Sequence, residues 1–322
     1  MRVLVTGGSG FIGSAVLRRL QADGISMRAT WHSREGRVTG VEWARVEAID
    51  SPQEWLRHLS GCDAVVHCAA LAHQPGGSGS ALEDRFHRVN VAGTRALAAA
   101  CVMAQIRRLI FLSSVAAVCS ESAIPVDDNY SPAPIDAYGR SKLQAEHALS
   151  EELGRGGIEW CSVRPPLVYG RGNPGNMARL LWLIDSGLPL PFGLINNRRS
   201  LLFVGNLVDA LCCVLRHPQS VRGSYLLSDD GVFSTPQLVR LVAAARGRPV
   251  RLLPVPPPAL RLLGDLSERT ARVLGANFGL APALERLTGS LCIDSTRFRA
   301  EFAWQPPIEP VQAVTNSFAK GS

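Results

Sequence analysis

The stretch MRVLVTGGSGFIG, residues 1–13, decides the fold of this chain. Arg2 to Thr6 is a short run rich in branched apolar residues, as in a buried parallel strand, and the apolar spacing from Phe11 to Leu20 is helical. Between them Gly7, Gly10 and Gly13 recur at every third residue. The order is strand, glycine turn, helix. Missing Cβ atoms let the backbone turn sharply and approach a pyrophosphate, and the helix N-terminus offers N–H groups to it. Any tight strand-to-helix connection can use glycine, so the motif alone is weak. Its flanks favour a bound dinucleotide over a purely structural turn.

Working outward, Ser26 to Trp31 reads as the second parallel strand. The residue at its end discriminates between the two nicotinamide dinucleotides: an acid binds the ribose 2′-OH, a cation the 2′-phosphate. Here the chain reads Trp31-His32-Ser33-Arg34, with no acid. His32, Ser33, Arg34 and Arg37 suit a phosphate, which leans the expectation of NAD(P) toward NADP; the competing reading is a solvated loop. Val41 to Ile49 predicts a third strand, Pro52 to Leu59 a helix capped by Ser51, and Asp63 to His67 a fourth strand running into Cys68-Ala69-Ala70. Small residues at that strand end leave room for a cofactor. Gly76 to Ser80 reads as a loop and Leu82 to Ala104 as one long helix, with Asn90 as an ordinary solvent-facing polar residue.

The chemistry is expected farther on. Arg108 to Leu112 predicts a fifth strand ending in Ser113-Ser114, and Asp136 can cap a helix beginning Ala137-Tyr138-Gly139-Arg140-Ser141-Lys142. Tyr138 and Lys142 are four apart and share one helical face. A phenol, with its ordinary pKa of about 10, is a poor base at neutral pH, but a neighbouring ammonium favours the phenolate. A serine hydroxyl at a strand end can orient the substrate hydroxyl that loses its proton. A sixth strand, Glu159 to Val163, leads into Arg164-Pro165-Pro166-Leu167-Val168-Tyr169-Gly170, after which the alternation of strand and helix breaks.

Beyond that point the expected elements are a helix from Met177 to Ser186 capped by Asn176, a strand from Leu201 to Val204, a helix from Asn206 to Arg216, a strand from Gly223 to Ser228 and a helix from Thr235 to Ala245. Pro254 to Pro258 reads as a stiff linker, and the apolar run Ala259 to Leu266 as part of a smaller lid. The fold class is α/β: a doubly wound parallel sheet with a smaller, mostly C-terminal substrate-binding domain. Residues 1–170, with 199–228 returning to them, would form the dinucleotide-binding domain, and 171–198 with 229–322 the substrate-binding domain.

Bulk properties narrow the classes. The 322 residues are 46% hydrophobic, enough for a large packed core, and 34 Lys+Arg against 27 Asp+Glu give a net charge of +7. That balance suits a phosphate-bearing small molecule, and no basic run marks a nucleic-acid surface. The eight cysteines include no CxxC pair and lie mostly in apolar stretches, which fits a reducing cytoplasm. No metal-ligand cluster, signal peptide or bilayer-length apolar run is visible.

Taken together, TGGSGFIG at the start, HCAA at 67–70, NVAGT at 90–94, YGRSK at 138–142, RPPLVYG at 164–170 and RRSLLFVGNLVDA at 198–210 resemble the extended short-chain dehydrogenase/reductase family. The resemblance is to its nucleotide-sugar epimerases and reductases and spans nearly the whole chain. In that family GxxGxxG is the form the turn takes. The resemblance implies Ser114, Tyr138 and Lys142 as catalytic residues, with Ser113, or a register placing Val115 at the site, as alternatives. It implies Gly7, Gly10, Phe11, Ile12 and Gly13 at the pyrophosphate, Ala69 and Ala70 along the dinucleotide, Lys142 at the nicotinamide ribose and Pro165 beside the nicotinamide. Asn176 and Arg199 match positions that hold the substrate diphosphate; the plainer readings are a helix cap and a surface arginine.

Two departures refine the expectation. SSVAAVCS replaces the usual tyrosine-glycine after the serine, and no Asp-Glu pair follows Ser114, which disfavours water elimination. The resemblance is closest to UDP-glucose 4-epimerase-like proteins, including 4-keto reductases of UDP-N-acetylhexosamines in bacterial surface-polysaccharide synthesis. It implies hydride transfer at C4 of a UDP-sugar, by a reductase or alternatively a UDP-hexose 4-epimerase, with room for a homodimer through helices of the dinucleotide-binding domain. The readings from other classes are a catalytically silent nucleotide-binding sensor and a reductase of non-nucleotide carbonyls.

Overall fold

The computed structural model describes residues 1–72, 79–273, 284 and 287–319. Nine strands organise them: β1 (Arg2–Thr6), β2 (Ser26–Trp31), β3 (Glu42–Arg45), β4 (Ala64–His67), β5 (Arg108–Leu112), β6 (Glu159–Arg164), β7 (Leu167–Tyr169), β8 (Leu201–Phe203) and β9 (Arg222–Leu226). Seven form one sheet in the order β3-β2-β1-β4-β5-β6-β9, every pair parallel. The remaining two, β7 and β8, pair in a separate parallel ribbon. The order reverses between β1 and β4, which opens a crevice at their carboxyl ends, where open α/β sheets bind ligands.

Apolar clusters cover both faces of the sheet. On one, Val3, Val5, Ile110 and Val163 pack against Val16, Leu17 and Leu20 of the helix Phe11–Ala22 and Leu207 and Leu211 of the helix Val204–Arg216. On the other, Leu4, Val65, Leu109 and Phe111 meet Trp55 of Pro52–Leu59, Leu97 of Gly93–Met103 and Ala145 and Leu149 of Ala137–Gly156. A third cluster lies off the sheet and joins Tyr169, Met177, Leu190, Leu201, Val239, Leu260 and Val314. It collects segments from the chain's second half around the β7–β8 ribbon.

Several expected elements shift. The third strand is only Glu42–Arg45: Val46 N–H still bonds Trp31 O at 2.9 Å, but the chain then bends at Glu47 and turns through Ile49 and Asp50. The long helix is interrupted: Ser80–Phe86 passes through a π-helical turn, His87–Ala92, before Gly93–Met103. Gly175, and not Asn176, caps the next helix, which runs Asn176–Asp185. The proline run is not a linker throughout; a helix, Pro257–Val273, begins inside it, since proline is tolerated in a first turn. Two C-terminal helices, Thr296–Phe302 and Pro310–Phe318, and strand β7 were not foreshadowed by the apolar pattern. Of the glycine-rich loop, residues 76–78 lie outside the described residues.

Glycines differ sharply in what they permit. Gly154 sits near the end of the helix Ala137–Gly156, and a Cβ there meets nothing within 4 Å. Gly154→Ala is expected to stabilise the fold by about 0.5–1 kcal/mol, because alanine loses less backbone entropy in a helix. Urea unfolding of the two proteins checks it; an unchanged midpoint would contradict this.

Candidate active site

The glycine turn closes by backbone contact alone. Gly10 N–H donates to Gly7 O at 3.0 Å and Ser14 N–H to Gly10 O at 2.9 Å. Gly7 has φ +65°, and a Cβ there would stand 2.8 Å from the Ala69 backbone; one on Gly13 would stand 2.2 Å from Gly7 O. No side chain caps the helix Phe11–Ala22 and its first turn holds no acid. Phe11 and Ile12 turn their side chains toward the core, so what they offer outward is backbone N–H. An uncapped positive helix end in a cradle that any Cβ would fill fits a dinucleotide pyrophosphate.

Because the strands run parallel, the ends of β1, β4, β5 and β6 bring Gly7, Ala69, Ser114 and Pro165 to one edge of the sheet. A buried chain locks the first two. Thr6 Oγ1 accepts from Ala69 N–H at 3.1 Å and lies 2.6 Å from His67 Nδ1, while His67 Nε2 lies 3.0 Å from Thr94 Oγ1. Burial, and secondarily the Lys142 charge, push the His67 pKa down from 6.5 to about 3, so the imidazole is neutral.

Asn90 corrects the solvent-facing expectation. It is buried in the π-helical turn and clamps the segment after β4: Leu71 N–H donates to Asn90 Oδ1 at 2.8 Å, and Asn90 Nδ2 donates to Leu71 O at 3.0 Å. The same Nδ2 reaches Ser141 Oγ at 2.9 Å, and Ser141 Oγ–H donates to Tyr138 O at 2.8 Å. The π turn, which re-aims side chains within a helix, brings a polar residue inward that helical periodicity alone leaves outside.

The helix carrying Tyr138 and Lys142 is capped as expected, Asp136 Oδ1 accepting from Gly139 N–H at 2.6 Å. A Cβ on Gly139 would stand 2.2 Å from Ala116 O, so glycine there lets the helix close onto the short 3₁₀ turn Val115–Ala117. The half-buried Tyr138 ring lies 6.1 Å from Phe86. Lys142 Nζ donates to Leu112 O at 2.8 Å and sits 4.6 Å from the Phe111 ring centre. Burial lowers its pKa from 10.5 to about 8, against which Cys68 and Glu146 pull upward.

The three serine registers differ in the structure. Ser113 Oγ–H is bonded to the Glu146 carboxylate and is buried; Val115 is buried in an apolar cluster with Val118, Cys119 and Leu226. Ser114 is half-buried and caps the 3₁₀ turn, accepting from Ala116 N–H at 3.1 Å, so it keeps a hydroxyl at the crevice edge. Pro165 is buried, its carbonyl taking Val115 N–H at 2.9 Å. His32 and Arg34 stand exposed just past β2. Arg199 lies in the second half of the molecule: its backbone pairs with Phe233, and Nη1 donates to Gly289 O at 2.9 Å. Asn176 opens a helix beside a cavity of about 460 Å³ lined by Gly170, Asn173, Met177 and Phe318. All eight cysteines are free thiols. Among the described residues there is no cluster of metal ligands, and no helix is long and apolar enough to cross a membrane.

Asp229 is a buried carboxylate beside the ribbon, where it also accepts from Tyr169 OH at 3.4 Å. It accepts from Phe203 N–H and Asn206 Nδ2, both at 2.7 Å, and burial raises its pKa from 3.8 to about 6. Between pH 6 and 3.8 the folded state holds this proton more firmly than the unfolded chain, so the group adds stability as pH falls. Neutral His67 acts oppositely between pH 6.5 and 3, where the unfolded chain binds the extra proton. In Asp229→Asn the offset disappears: stability is expected to fall from pH 6 to 4 more steeply than in wild type by about 1.4 kcal/mol per pH unit. Urea titrations at several pH values measure the slope; parallel slopes would refute it.

The model of the NAD dependent epimerase/dehydratase family matches residues 3–227. A UDP-glucose 4-epimerase of Vibrio cholerae is 34% identical over 313 residues, covering 95% of this chain and 90% of that protein. The N-acetyl-alpha-D-glucosaminyl-diphospho-ditrans,octacis-undecaprenol 4-epimerase of Escherichia coli O157:H7 is 27% identical, covering 92% and 88%. The fold is that of the Brucella ovis UDP-glucose 4-epimerase solved in complex with NAD, at a TM-score of 0.79 and 20% identity, with 99% of this chain and 97% of that one covered. With a glycine cradle, a Tyr138–Lys142 helix and these matches in agreement, the chain belongs to the NAD-dependent epimerase/dehydratase family of extended short-chain dehydrogenases/reductases.

Proposed function

We propose that this protein is an NAD(P)-dependent oxidoreductase acting at C4 of a UDP-linked hexose, reducing a 4-keto-N-acetylhexosamine. The observation that carries the reading is the buried Lys142 ammonium, one turn from Tyr138 on the helix packed against the Ser114 turn. When bound, the nicotinamide supplies or accepts the hydride. Lys142 favours the Tyr138 phenolate by charge. Tyr138 exchanges the proton on the C4 oxygen, and Ser114 Oγ hydrogen-bonds that oxygen and holds it in line. Gly7, Gly10 and Gly13 with the N–H groups of Phe11 and Ile12 would cradle the pyrophosphate, Ala69 and Ala70 would flank the dinucleotide, and Pro165 would sit by the nicotinamide. Asn176 and Arg199 would hold the substrate diphosphate, a charge-assisted contact for the arginine. Residues 1–170 and 199–228 would bind cofactor, and the rest sugar, in a cytoplasmic homodimer.

The epimerase reading is favoured by the 34% identical Vibrio cholerae relative, which bears that name. Incubating the purified protein with UDP-4-keto sugars and with UDP-hexoses, with NADH or NADPH, separates the two. Net consumption of reduced cofactor supports the reductase; epimer formation without it supports the epimerase and overturns the first reading. Arg199→Ala is expected to raise KM for the UDP-sugar about tenfold or more, as loss of a charged hydrogen bond would; an unchanged KM removes Arg199 from the site. The NADP preference rests on His32 and Arg34, so Arg34→Ala should weaken NADPH and leave NADH unchanged.

A further inference from the structure

We propose that the outer face of the off-sheet cluster docks on an anionic lipid bilayer, its leucines and a tryptophan entering the interface and its arginines meeting lipid phosphates. The proposal is independent of the activity read from Tyr138 and Lys142. The segments that fill this cluster also leave large apolar side chains outside it. On the helix Asn176–Asp185, Met177, Leu180 and Ile184 are buried in the cluster and Trp182 stands 67% exposed. The chain past its end carries Leu188, and a turn closed by Ile195 N–H on Phe192 O carries Leu194; both are exposed, while Leu190 and Phe192 are buried. This stretch is laced to residues 251–253: Leu190 N–H donates to Arg251 O at 2.9 Å, Leu253 N–H to Leu190 O at 2.8 Å and Gly193 N–H to Leu253 O at 2.9 Å. The pairing places exposed Leu253 next to the stretch that bears Leu188 and Leu194. The helix Pro257–Val273 begins just past Leu253 and buries Leu260 and Gly264; Leu262 and Leu266, one turn apart, lie on its opposite side, 67% and 56% exposed.

Charge selects the occupant. Residues 171–198 and 235–266, which supply these segments, contain eight arginines, two aspartates and no lysine or glutamate, so they hold +6 of the chain's +7. One of the aspartates, Asp185, is already paired with Arg246. Arg179, Arg240, Arg248, Arg251 and Arg261 are exposed, and among the described residues none of the five is in an ion pair. Apolar side chains exposed singly need no explanation, but here they are interleaved with cations: Arg179 one turn before Trp182, Arg251 two residues before Leu253, Arg261 immediately before Leu262. An anionic bilayer satisfies both kinds of group, since leucine and tryptophan enter the boundary between headgroups and acyl chains while guanidinium groups reach the phosphates above it. A second copy of this face would set arginines against arginines, and a nucleic acid would leave the leucines in water. Among the described residues no helix is long and apolar enough to cross a membrane, so the contact is peripheral.

Flotation of the whole protein with lipid vesicles tests this without any substrate, so it stands or fails apart from the proposed activity. Binding to phosphatidylcholine vesicles that carry about one-third phosphatidylglycerol is expected to be about tenfold or more tighter than to phosphatidylcholine alone, and to weaken as salt rises. Leu262→Glu combined with Leu266→Glu should lower affinity for the anionic vesicles about tenfold or more at the wild-type thermal midpoint, because both side chains already face water, and Arg248→Glu combined with Arg251→Glu by a similar factor. Ile124→Glu, at a comparably exposed apolar residue outside these segments, should leave binding unchanged. Equal binding to the two kinds of vesicle, wild-type binding in either double variant, or an equal loss in Ile124→Glu overturns the proposal. So does a wild-type oligomer, formed without lipid, that the Leu262→Glu and Leu266→Glu pair splits, which would assign the face to a second copy of the chain.

Discussion

Tyr138→Phe is expected to lower kcat about 10³-fold, within the range that removal of a positioned acid–base group costs, equivalent to about 4 kcal/mol of barrier. Phenylalanine keeps the ring that packs near Phe86 and the helix that carries it, so cofactor affinity and thermal stability stay at wild-type values. Only the hydroxyl that exchanges a proton is gone. The alkaline limb of the wild-type kcat/KM profile is expected near pH 8, where buried Lys142 gives up its proton and stops favouring the phenolate. Steady-state kinetics and NADH fluorescence titration measure the effects. A Tyr138→Phe protein retaining a tenth or more of wild-type turnover would remove the phenol from the chemistry.

Gly13→Ala is expected to weaken dinucleotide binding by more than 100-fold. Gly13 lies in a helix, where alanine is intrinsically better by about 1 kcal/mol. The new Cβ, however, falls 2.2 Å from Gly7 O, 2.9 Å from Gly7 C and 3.0 Å from Gly8 Cα, all of them backbone atoms that cannot swing aside. Either the turn or the helix must move by roughly an ångström, and the N–H groups aimed at the phosphates move with it. Gly154→Ala in the helix Ala137–Gly156, with nothing in its way, gains the propensity without the clash. Titrating NADH and NADPH into both variants gives the comparison; wild-type affinity in Gly13→Ala would mean that the cradle does not hold the pyrophosphate.

How much of this was legible from the sequence depends on whether a signal is local. β5 was bounded correctly at Arg108–Leu112, as were the helices Pro52–Leu59 and Thr235–Ala245, because each has a cap or a continuous apolar run within its own few residues. Asn90 was misread because its burial comes from a π turn and from Leu71 and Ser141, 19 and 51 residues away. His67 carried no signal beyond the strand it ends. β7 shows itself only through its pairing with β8, Leu167 with Leu201, which no local pattern carries.

The sequence by itself determined the cradle at residues 1–13, the parallel α/β sheet, and the pairing of Tyr138 with Lys142, since glycine spacing and an i, i+4 relation act over one turn of chain. Tertiary structure alone decided which serine is enclosed. Ser113 and Ser114 are equivalent as letters; they differ because Glu146, 33 residues on and itself held by Arg164 of the neighbouring strand, accepts from the first of them. A buried carboxylate demands partners from whatever elements surround it, and only the packed sheet and helix say which those are.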